Sequence, residues 1–307
     1  MDTTEPRNYP RDIHTVPQHE RHFYGKTAAF GRFGSRQFTP EIMAEPHWHG
    51  HIEFNFCVGA TLVYLIDGET VRVPADRLAV FWAGVPHRLV GIDPEPGVVP
   101  RLTNIYLPAD IFLAMPHIAW LQIALLAGGM ALLPAETASF NLVNRWYRDY
   151  RAGDFERSEV VRMEINVLLR RALLDDLEWL RIPPVSQDLG RTLSSSHIRH
   201  VIEMVRHIIE NLGEPMTNAQ ITAVTGLHEN YALTLFTQSM RIPLKKFVIR
   251  LRLLRARGML TESSMAISTV AEHCGFTSLS QFYHHFRAAY GVSPNVVRKQ
   301  YVEMTLR

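Results

Sequence analysis

Residues 267–298 read ISTVAEHCGFTSLSQFYHHFRAAYGVSPNVVR and predict two short helices joined by a tight turn. The first helix begins at Ile267, the turn lies at Gly275, and the second helix runs from Ser278 to about Tyr290. Glycine suits a turn residue with positive φ, and Ser278 with Gln281 three residues later forms a capping box. The spacing therefore predicts a helix-turn-helix.

The second helix of this unit has one apolar and one polar face. Phe282, Phe286 and Tyr290 recur at intervals of four and predict the buried stripe. Hydroxyl, amide, imidazole and guanidinium groups on the opposite face suit the base edges and phosphates of the DNA major groove. The candidate DNA-binding residues here are Ser278, Ser280, Gln281, His284 and Arg287. The alternative is an αα-hairpin inside an ordinary helical domain.

A similar unit precedes it. A helix over residues 198–212 ends at Gly213, a capping box at Thr217 and Gln220 opens the next helix, and a further helix begins near His228 after the turn at Gly226. Asparagine on such a helix suits adenine. The candidate DNA-binding residues of this first unit are Asn230, Tyr231, Leu233 and Thr234.

Residues 244–259, LKKFVIRLRLLRARGM, connect the two units. Leu244, Phe247, Leu251 and Leu254 form one apolar stripe, and Ile249 and Leu253 form a second. A helix that is apolar on two sides is typical of one wedged between two packed units. The competing interpretation is a basic amphipathic helix at a membrane surface.

The pattern G-F-x-S-x-S-x-F-x-x-x-F-x-x-x-x-G-x-S-P-x-x-x-R, from Gly275 to Arg298, resembles the signature of the AraC/XylS family of bacterial transcription regulators. The resemblance implies a DNA-binding domain with two helix-turn-helix units joined by one long helix, and a cupin-like sensor domain before it. It also implies a dimer, a small-molecule effector such as a sugar and, for an activator, contact with RNA polymerase.

The charge is distributed unevenly. The whole chain carries +2, but residues 195–307 carry +6 and the remainder carries −4. A basic module favours contact with a polyanion through the release of counterions from phosphates. The excess positive charge coincides with the two predicted helix-turn-helix units.

The rest of the composition is that of a folded protein with two domains. The length of 307 residues exceeds one ordinary core, and 47% of residues are hydrophobic. Cys57 and Cys274 stand far apart, which favours a reducing compartment. No apolar run reaches the roughly 18 residues of a membrane span, so we expect a cytoplasmic protein without membrane contact.

The N-terminal half predicts an antiparallel β domain. Short strand-like runs cover residues 52–58, 62–66, 70–73, 78–82 and 99–107, after an irregular arm that extends to about Phe38. Asp67-Gly68 predicts a two-residue hairpin. The strands predict a small barrel or jelly roll, and the family resemblance implies a cupin-like β-barrel.

Polar residues share one face of the first strand. Alternation places His47, His49, His51, Glu53 and Asn55 together, and His87 follows a later turn. Such a face would line a polar pocket, with an aromatic platform from Trp48, Tyr64, Phe81 or Trp82. The candidate ligand-binding residues are His47, His49, Glu53, Asn55, Trp82 and His87.

A metal is the alternative occupant of this pocket. His47, His49, Glu53 and His87 resemble the positions at which metal-binding cupins hold three imidazoles and a carboxylate, a set suited to Fe, Mn, Zn or Ni. The competing interpretation is that the four residues only form hydrogen bonds that shape a ligand pocket. No cofactor is assigned on this basis.

Helical patterns fill the middle of the chain. The recurrence of Leu168, Leu169, Ala172, Leu173, Leu177 and Leu180 predicts an apolar stripe that packs on the β domain and, by the resemblance, also forms a dimer interface. Pro183 and Pro184 end this region. We expect a sensing and dimerisation domain over residues 1–183, a linker over 184–196 and a DNA-binding domain over 197–307.

These features predict an α+β protein: a cupin-like barrel with a helical dimerisation segment, followed by an all-α domain with two helix-turn-helix units. The expected function is that of a sequence-specific DNA-binding transcription regulator, an activator of carbohydrate genes, and not an enzyme. The expected partners are double-stranded DNA, a small effector, RNA polymerase and a second copy of the chain. The alternatives are a metal-dependent cupin enzyme fused to a DNA-binding module, and a constitutive repressor or architectural protein.

Overall fold

The computed structural model describes residues 33–175, 177–182, 195–240 and 242–305. The predicted linker over residues 184–196 lies almost entirely outside these ranges. The predicted arm is only partly described, and its last residues are not irregular: Gly34–Phe38 forms a strand. Within the described ranges, no helix combines the length and apolar composition needed to cross a bilayer.

The N-terminal half contains the strands. They are β1 (Gly34–Phe38), β2 (His51–Val58), β3 (Ala60–Ile66), β4 (Glu69–Val73), β5 (Leu78–Trp82), β6 (His87–Pro94), β7 (Arg101–Pro108), β8 (Met130–Leu132) and β9 (Glu178–Arg181). The runs predicted from alternation lie in β2, β3, β4, β5 and β7. β1, β6, β8 and β9 were not predicted: β1, β8 and β9 have only three to five residues, and β6 is interrupted by Gly91 and ends in Asp93 and Pro94.

The strands form two antiparallel sheets. One has the order β1-β7-β2-β5-β8-β9 and the other has the order β4-β3-β6. Among the described residues the sheets do not join into a closed ladder, so of the predicted barrel or jelly roll the structure has two separate sheets and no closed barrel. Gly59, with φ of +72°, lets consecutive strands β2 and β3 enter different sheets.

The predicted hairpin is confirmed. β3 and β4 pair in register from Leu62 with Val73 to Ile66 with Glu69. Asp67 and Gly68 between them have φ values of +50° and +84°. Positive φ at both central residues is the property of the turn that matches the right-handed twist of a two-residue hairpin.

Helices fill the remainder of the described chain. They are α1 (Ala109–Ala114), α2 (Ala119–Leu126), α3 (Phe140–Arg151), α4 (Phe155–Ala172), α5 (Ser195–Glu210), α6 (Asn218–Ala223), α7 (Glu229–Met240), α8 (Leu244–Glu262), α9 (Ile267–His273), α10 (Leu279–Tyr290) and α11 (Pro294–Thr305). Helices α6 and α7 form the first predicted helix-turn-helix, α9 and α10 form the second, and α8 connects them.

Helix α8 divides two hydrophobic cores. Its residues Leu244, Phe247 and Leu251 belong to a core that continues through α5, α7 and the sheets of the N-terminal half. Leu253 and Leu260 belong to a separate core with α9 and α10. The prediction of a helix that is apolar on two sides, between two units, is confirmed.

The predicted stripe of α4 packs within the chain. Leu168, Leu169 and Ala172 are buried in the N-terminal core, and Leu173 packs against its edge. A different set of apolar residues on α4 is exposed: Val160, Met163 and Val167. The stripe that the sequence suggested for a partner subunit is therefore mostly covered by the chain's own sheet and helices.

Candidate nucleic-acid interface and effector pocket

The first helix-turn-helix is held by a capping box at the start of α6. The Thr217 backbone N–H donates to Gln220 Oε1 at 2.8 Å, and the Gln220 backbone N–H donates to Thr217 Oγ1 at 3.2 Å. Gly226 takes a φ of +67° in the turn before α7. Both features agree with the sequence prediction and fix where α7 begins.

The predicted reading face of α7 is mostly exposed. Asn230, Tyr231 and Thr234 are exposed, whereas Leu233 is half-buried and packs against the core. Thr234 Oγ1 donates to the Asn230 carbonyl at 2.8 Å, and the Tyr231 hydroxyl lies 2.9 Å from His197 Nε2. The amide of Asn230 is thus the group on this face with base-reading chemistry and an open position.

The second helix-turn-helix presents a larger polar face. Ser278 caps α10, with its Oγ accepting from the Gln281 backbone N–H at 3.1 Å. Phe282 and Phe286 are fully buried below it. The structure places the five predicted residues together on the exposed side: Ser278, Ser280, Gln281, His284 and Arg287.

A cluster of polar side chains lies between the two sheets of the N-terminal half, and we call it the histidine cluster. It consists of His47, His49, Glu53 and His87, whose nearest potential ligand atoms all lie within 4.8 Å of one another. His49 Nε2 is 3.1 Å from Glu53 Oε2, and His87 Nε2 is 3.6 Å from the same oxygen. The isolated bridge between His47 and His87 holds the two chain segments side by side.

Burial and mutual contact set the protonation states in the cluster. Burial lowers the pKa of His47 well below its usual value, and the charges of His87 and His49 lower it further. Burial likewise lowers the pKa of His49. Burial alone would raise the pKa of Glu53, but His49 and His87 bring it well below its usual value. The cluster therefore holds neutral His47 and His49 beside an ionised carboxylate.

Residues from neighbouring strands complete the surroundings of the cluster. Asn104 Nδ2 donates to Glu53 Oε1 at 3.0 Å, and Asn55 Nδ2 donates to the Tyr64 hydroxyl at 2.9 Å. The Tyr106 ring lies 5.6 Å from that of His49, and burial raises the pKa of its phenol to about 12. Amide and phenol groups thus surround the carboxylate on its inner side.

Trp82 does not belong to this pocket. It pairs with Ile52, whereas Phe81 pairs with Glu53, and directly paired residues share one face of a sheet. The Trp82 ring instead lies 6.3 Å from that of Phe247 on α8. Phe81 is the aromatic neighbour of the cluster, with its ring 5.0 Å from that of His87. The assignment of Trp82 to the ligand site is thus corrected to Phe81.

Trp48 connects the cluster with the second helix-turn-helix. It lies between His47 and His49 in the chain, and its ring stacks on that of Tyr290 at the end of α10, with centroids 4.5 Å apart and planes 9° apart. Arg257 Nη1 donates to the Trp48 carbonyl at 2.6 Å. The Arg257 guanidinium lies 5.5 Å from the Trp48 ring centroid and 5.6 Å from that of Tyr290.

Two comparisons bear on what this arrangement is. A family model described as a helix-turn-helix domain matches residues 221–300, which contain both predicted reading helices. The melibiose operon regulatory protein of Escherichia coli strain K12 is 27% identical over 268 residues, covering 85% of this chain and 85% of that protein. Both matches agree with the resemblance of the sequence to AraC/XylS regulators.

Further comparisons give a partial match and a similar fold. The HTH-type transcriptional regulator ArgR of Pseudomonas aeruginosa is 30% identical over 174 residues, covering 56% of this chain and 47% of ArgR. The crystal structure of ToxT from Vibrio cholerae O395 aligns over 89% of this chain and 98% of ToxT, with a TM-score of 0.52 and 8% identity. At that identity the likeness concerns the fold alone. The melibiose operon regulatory protein and ArgR are regulators by name, which favours a regulator over the alternative of a cupin enzyme.

Sequence reasoning missed part of the surroundings of the histidine cluster. Asn104 and Tyr106 lie on β7 opposite Asn55 and Glu53. A signal was available, because the two polar residues alternate with Ile105 and Leu107 in a predicted strand. The register of β7 against β2 was not available, and without it the polar side of the strand could not be assigned to this pocket.

Proposed function

We propose that this protein binds duplex DNA through the exposed faces of α7 and α10 and regulates transcription in response to a small ligand held in the N-terminal pocket. The observation that carries the proposal is the second reading face, where every predicted polar residue is exposed above a buried aromatic core. The excess positive charge of residues 195–307 supports contact with phosphates. Helix α8, whose 19 residues span about 28 Å, holds the two units apart.

The two faces differ in the chemistry they offer to DNA. On α7, the Asn230 amide can bond an adenine edge in a bidentate manner, with Tyr231, Leu233 and Thr234 as neighbours. On α10, Arg287 suits a phosphate or the edge of a guanine. Ser278 lies at the N-terminus of α10, where backbone N–H groups favour a phosphate. Direct reading is therefore divided between an amide-bearing face and a cationic face.

A sugar is the proposed effector class, and activation of carbohydrate-uptake or catabolic genes is the proposed role. The name of the melibiose operon regulatory protein supports this choice. The pocket offers the polar groups and aromatic rings that recognise a sugar. His47, His49, Glu53, Asn55 and His87 would contact the ligand, with Phe81 in the place first given to Trp82.

A homodimer and contact with RNA polymerase complete the proposal. Val160, Met163 and Val167 recur at spacings of three and four on α4, with exposed fractions of 49%, 67% and 50%. An apolar stripe of this kind on an otherwise polar surface fits a second copy of the chain packed against it. Met163→Lys should then lower the fraction of dimer measured by analytical ultracentrifugation.

Ligand binding would act through the contact between Trp48 and the second helix-turn-helix. A ligand that moves His47 or His49 moves Trp48, which lies between them. The stacking on Tyr290 and the bond from Arg257 then change with it. An effector shifts an equilibrium only by interacting differently with two states, and this contact provides a physical difference between them.

The test is DNA affinity after selection of binding fragments from a random pool. His284→Ala and Arg287→Ala should each weaken binding in a gel-shift assay by about 1–3 kcal/mol, and Arg287→Ala should do so across all sequences if it contacts phosphate. Arg72→Ala serves as the control, because Arg72 is an exposed cation of the N-terminal half that pairs with Asp93. Affinities unchanged in both α10 variants would contradict the proposed reading face.

A further inference from the structure

The histidine cluster has the composition of a metal site. Three imidazoles and one carboxylate come from β2, β6 and the segment before β2, and converge within 4.8 Å. His47 Nδ1 and His87 Nε2 are buried atoms without a hydrogen-bond partner. A buried polar atom left unpaired destabilises the fold, so two of them in one cluster call for an explanation.

The orientation of His87 points to the missing partner. Its Nδ1 lies 2.9 Å from the Val85 carbonyl, which can only accept, so Nδ1 carries the proton. Nε2 is then the nitrogen directed at Glu53 Oε2, which is 3.6 Å away and beyond hydrogen-bonding distance. A cation bound to both atoms would fill this gap.

Outer contacts hold the donors in place. Asn104 Nδ2 binds Glu53 Oε1 and leaves Oε2 directed at the histidines. His49 Nδ1 lies 3.1 Å from His51 Nδ1, which can accept a proton from it when His49 Nε2 exchanges its hydrogen bond to Glu53 for a metal ion. Metal-binding histidines commonly have their second nitrogen bound in this way, which fixes ring orientation and tautomer.

We propose that His47, His49, Glu53 and His87 bind one divalent transition-metal ion in the N-terminal pocket. Imidazole with carboxylate suits Zn²⁺, Ni²⁺, Fe²⁺ or Mn²⁺, whereas Ca²⁺ and Mg²⁺ prefer oxygen ligands alone. Donors about 2.1 Å from one ion lie at most about 4.2 Å apart, so the cluster needs to contract by at least about half an ångström. The assignment deepens the proposed effector pocket, and only its regulatory consequence rests on that function.

A metal in this position would also be coupled to the DNA-binding half. Two of the four ligands flank Trp48, and contraction of His47 and His49 toward an ion moves the backbone from which Trp48 extends. The Trp48 carbonyl is the acceptor for Arg257. Binding of a metal ion is therefore expected to change the hydrogen-exchange protection of α10, although neither the ion nor its four ligands contact that helix.

The test uses tag-free full-length protein, stripped with a chelator and titrated with Zn²⁺ by isothermal calorimetry, with metal content measured after dialysis. The wild type should bind one Zn²⁺ per chain, and Glu53→Gln and His87→Ala should each weaken binding at least tenfold. Glu53→Gln retains the shape of the side chain, so it separates loss of a ligand from loss of the fold, which circular dichroism checks. His200→Ala removes a histidine outside the cluster and should leave binding unchanged.

X-ray absorption of the Zn²⁺ complex should show only nitrogen and oxygen ligands at about 2.0–2.2 Å. Less than half an ion per chain, or equal Zn²⁺ affinity in the wild type and folded Glu53→Gln, would overturn the metal site. The same samples are assayed for DNA binding. DNA binding without stoichiometric metal would overturn the metal site alone, whereas stoichiometric metal without DNA binding would support it and count against the proposed regulator function.

Discussion

The two helix-turn-helix units have the same plan but are attached to the rest of the protein in different ways. The first shares a continuous core with the N-terminal sheets, through residues such as Val205, Phe236 and Phe247. The second has a separate core around Phe282 and Phe286. It meets the N-terminal half through Trp48, Tyr290 and Arg257. The first unit is thus an extension of the sensor half, and the second is a separately packed body joined to it by a small contact.

This difference indicates which unit can respond to the pocket. Moving the first unit would expose a shared apolar core. Moving the second unit together with the C-terminal part of α8, to which its core belongs, would break one aromatic stack and a few polar bonds with the N-terminal half. Aromatic pairs contribute about 0.5–1.5 kcal/mol beyond their burial, a range in which a ligand can shift the balance. A response that displaces α10 and leaves α7 in place is the less costly one.

The largest expected loss of stability comes from removing one buried ring from each of the two cores. Phe236→Ala and Phe282→Ala each remove a fully buried ring and should each cost about 3–5 kcal/mol of stability. Phe236→Ala should raise hydrogen exchange in α5 and in the N-terminal α2, because they share its core. Phe282→Ala should raise exchange in α9, α10 and the end of α8 only.

Exchange mapped by mass spectrometry checks this, with Phe236→Leu and Phe282→Leu as milder variants should either alanine variant unfold. Equal loss of protection in the N-terminal sheets for both positions would show that the two cores are not separate.

The two turn glycines, one in each helix-turn-helix, give a matched pair of alanine variants with a smaller expected loss of stability. Gly226 and Gly275 both have positive φ, at +67° and +79°. A Cβ on Gly226 would meet nothing within 4 Å, whereas one on Gly275 would lie 2.7 Å from the Leu212 carbonyl and 2.8 Å from Arg252. Gly226→Ala should cost about 1–2 kcal/mol through backbone strain alone, and Gly275→Ala should cost more.

Chemical denaturation of the two variants gives the difference in free energy of unfolding. Equal values would mean that the approach of Leu212 and Arg252 to Gly275 is not as close as the structure has it.

The smallest expected loss of stability comes from the contact between the N-terminal half and the second helix-turn-helix. Trp48→Ala removes the stack on Tyr290 and the cation–π contact with Arg257, which together contribute about 1–2 kcal/mol. Exchange in α10 should rise while the β2 and β5 strands keep their protection. Trp48→Phe retains a ring and should restore much of the loss. Faster exchange in β2 of the alanine variant would instead indicate that the pocket itself has been disrupted.

The helical half could be predicted well from sequence because its signals are local. Capping residues and turn glycines determine where each helix begins and ends, and the spacing of Phe282 and Phe286 determines its buried face. Each of these signals lies within a few residues of the feature that it determines. The two-sided pattern of α8 even predicted that it divides two units. The extent of the shared core could not be predicted, because it depends on how α5 and α7 meet the N-terminal sheets.

The pocket could be predicted only in part because strand register is not local. Alternation over residues 47–55 grouped His47, His49 and Glu53, which the structure brings together although His47 and His49 precede β2. It could not tell that Phe81, and not Trp82, faces Glu53 across the ladder, since a shift of one residue exchanges the two. The partners on β7 and the open double sheet, in place of a closed barrel, likewise depend on long-range pairing.

The most direct test of the account is a hydroxyl-radical footprint on a selected DNA fragment, because its central claim is that both reading helices contact one duplex. The wild type should protect two segments on one face of the DNA, about 34 Å apart. Arg287→Ala should lose protection of one segment and Asn230→Ala protection of the other. A single protected segment in the wild type, or loss of the same segment in both variants, would contradict it.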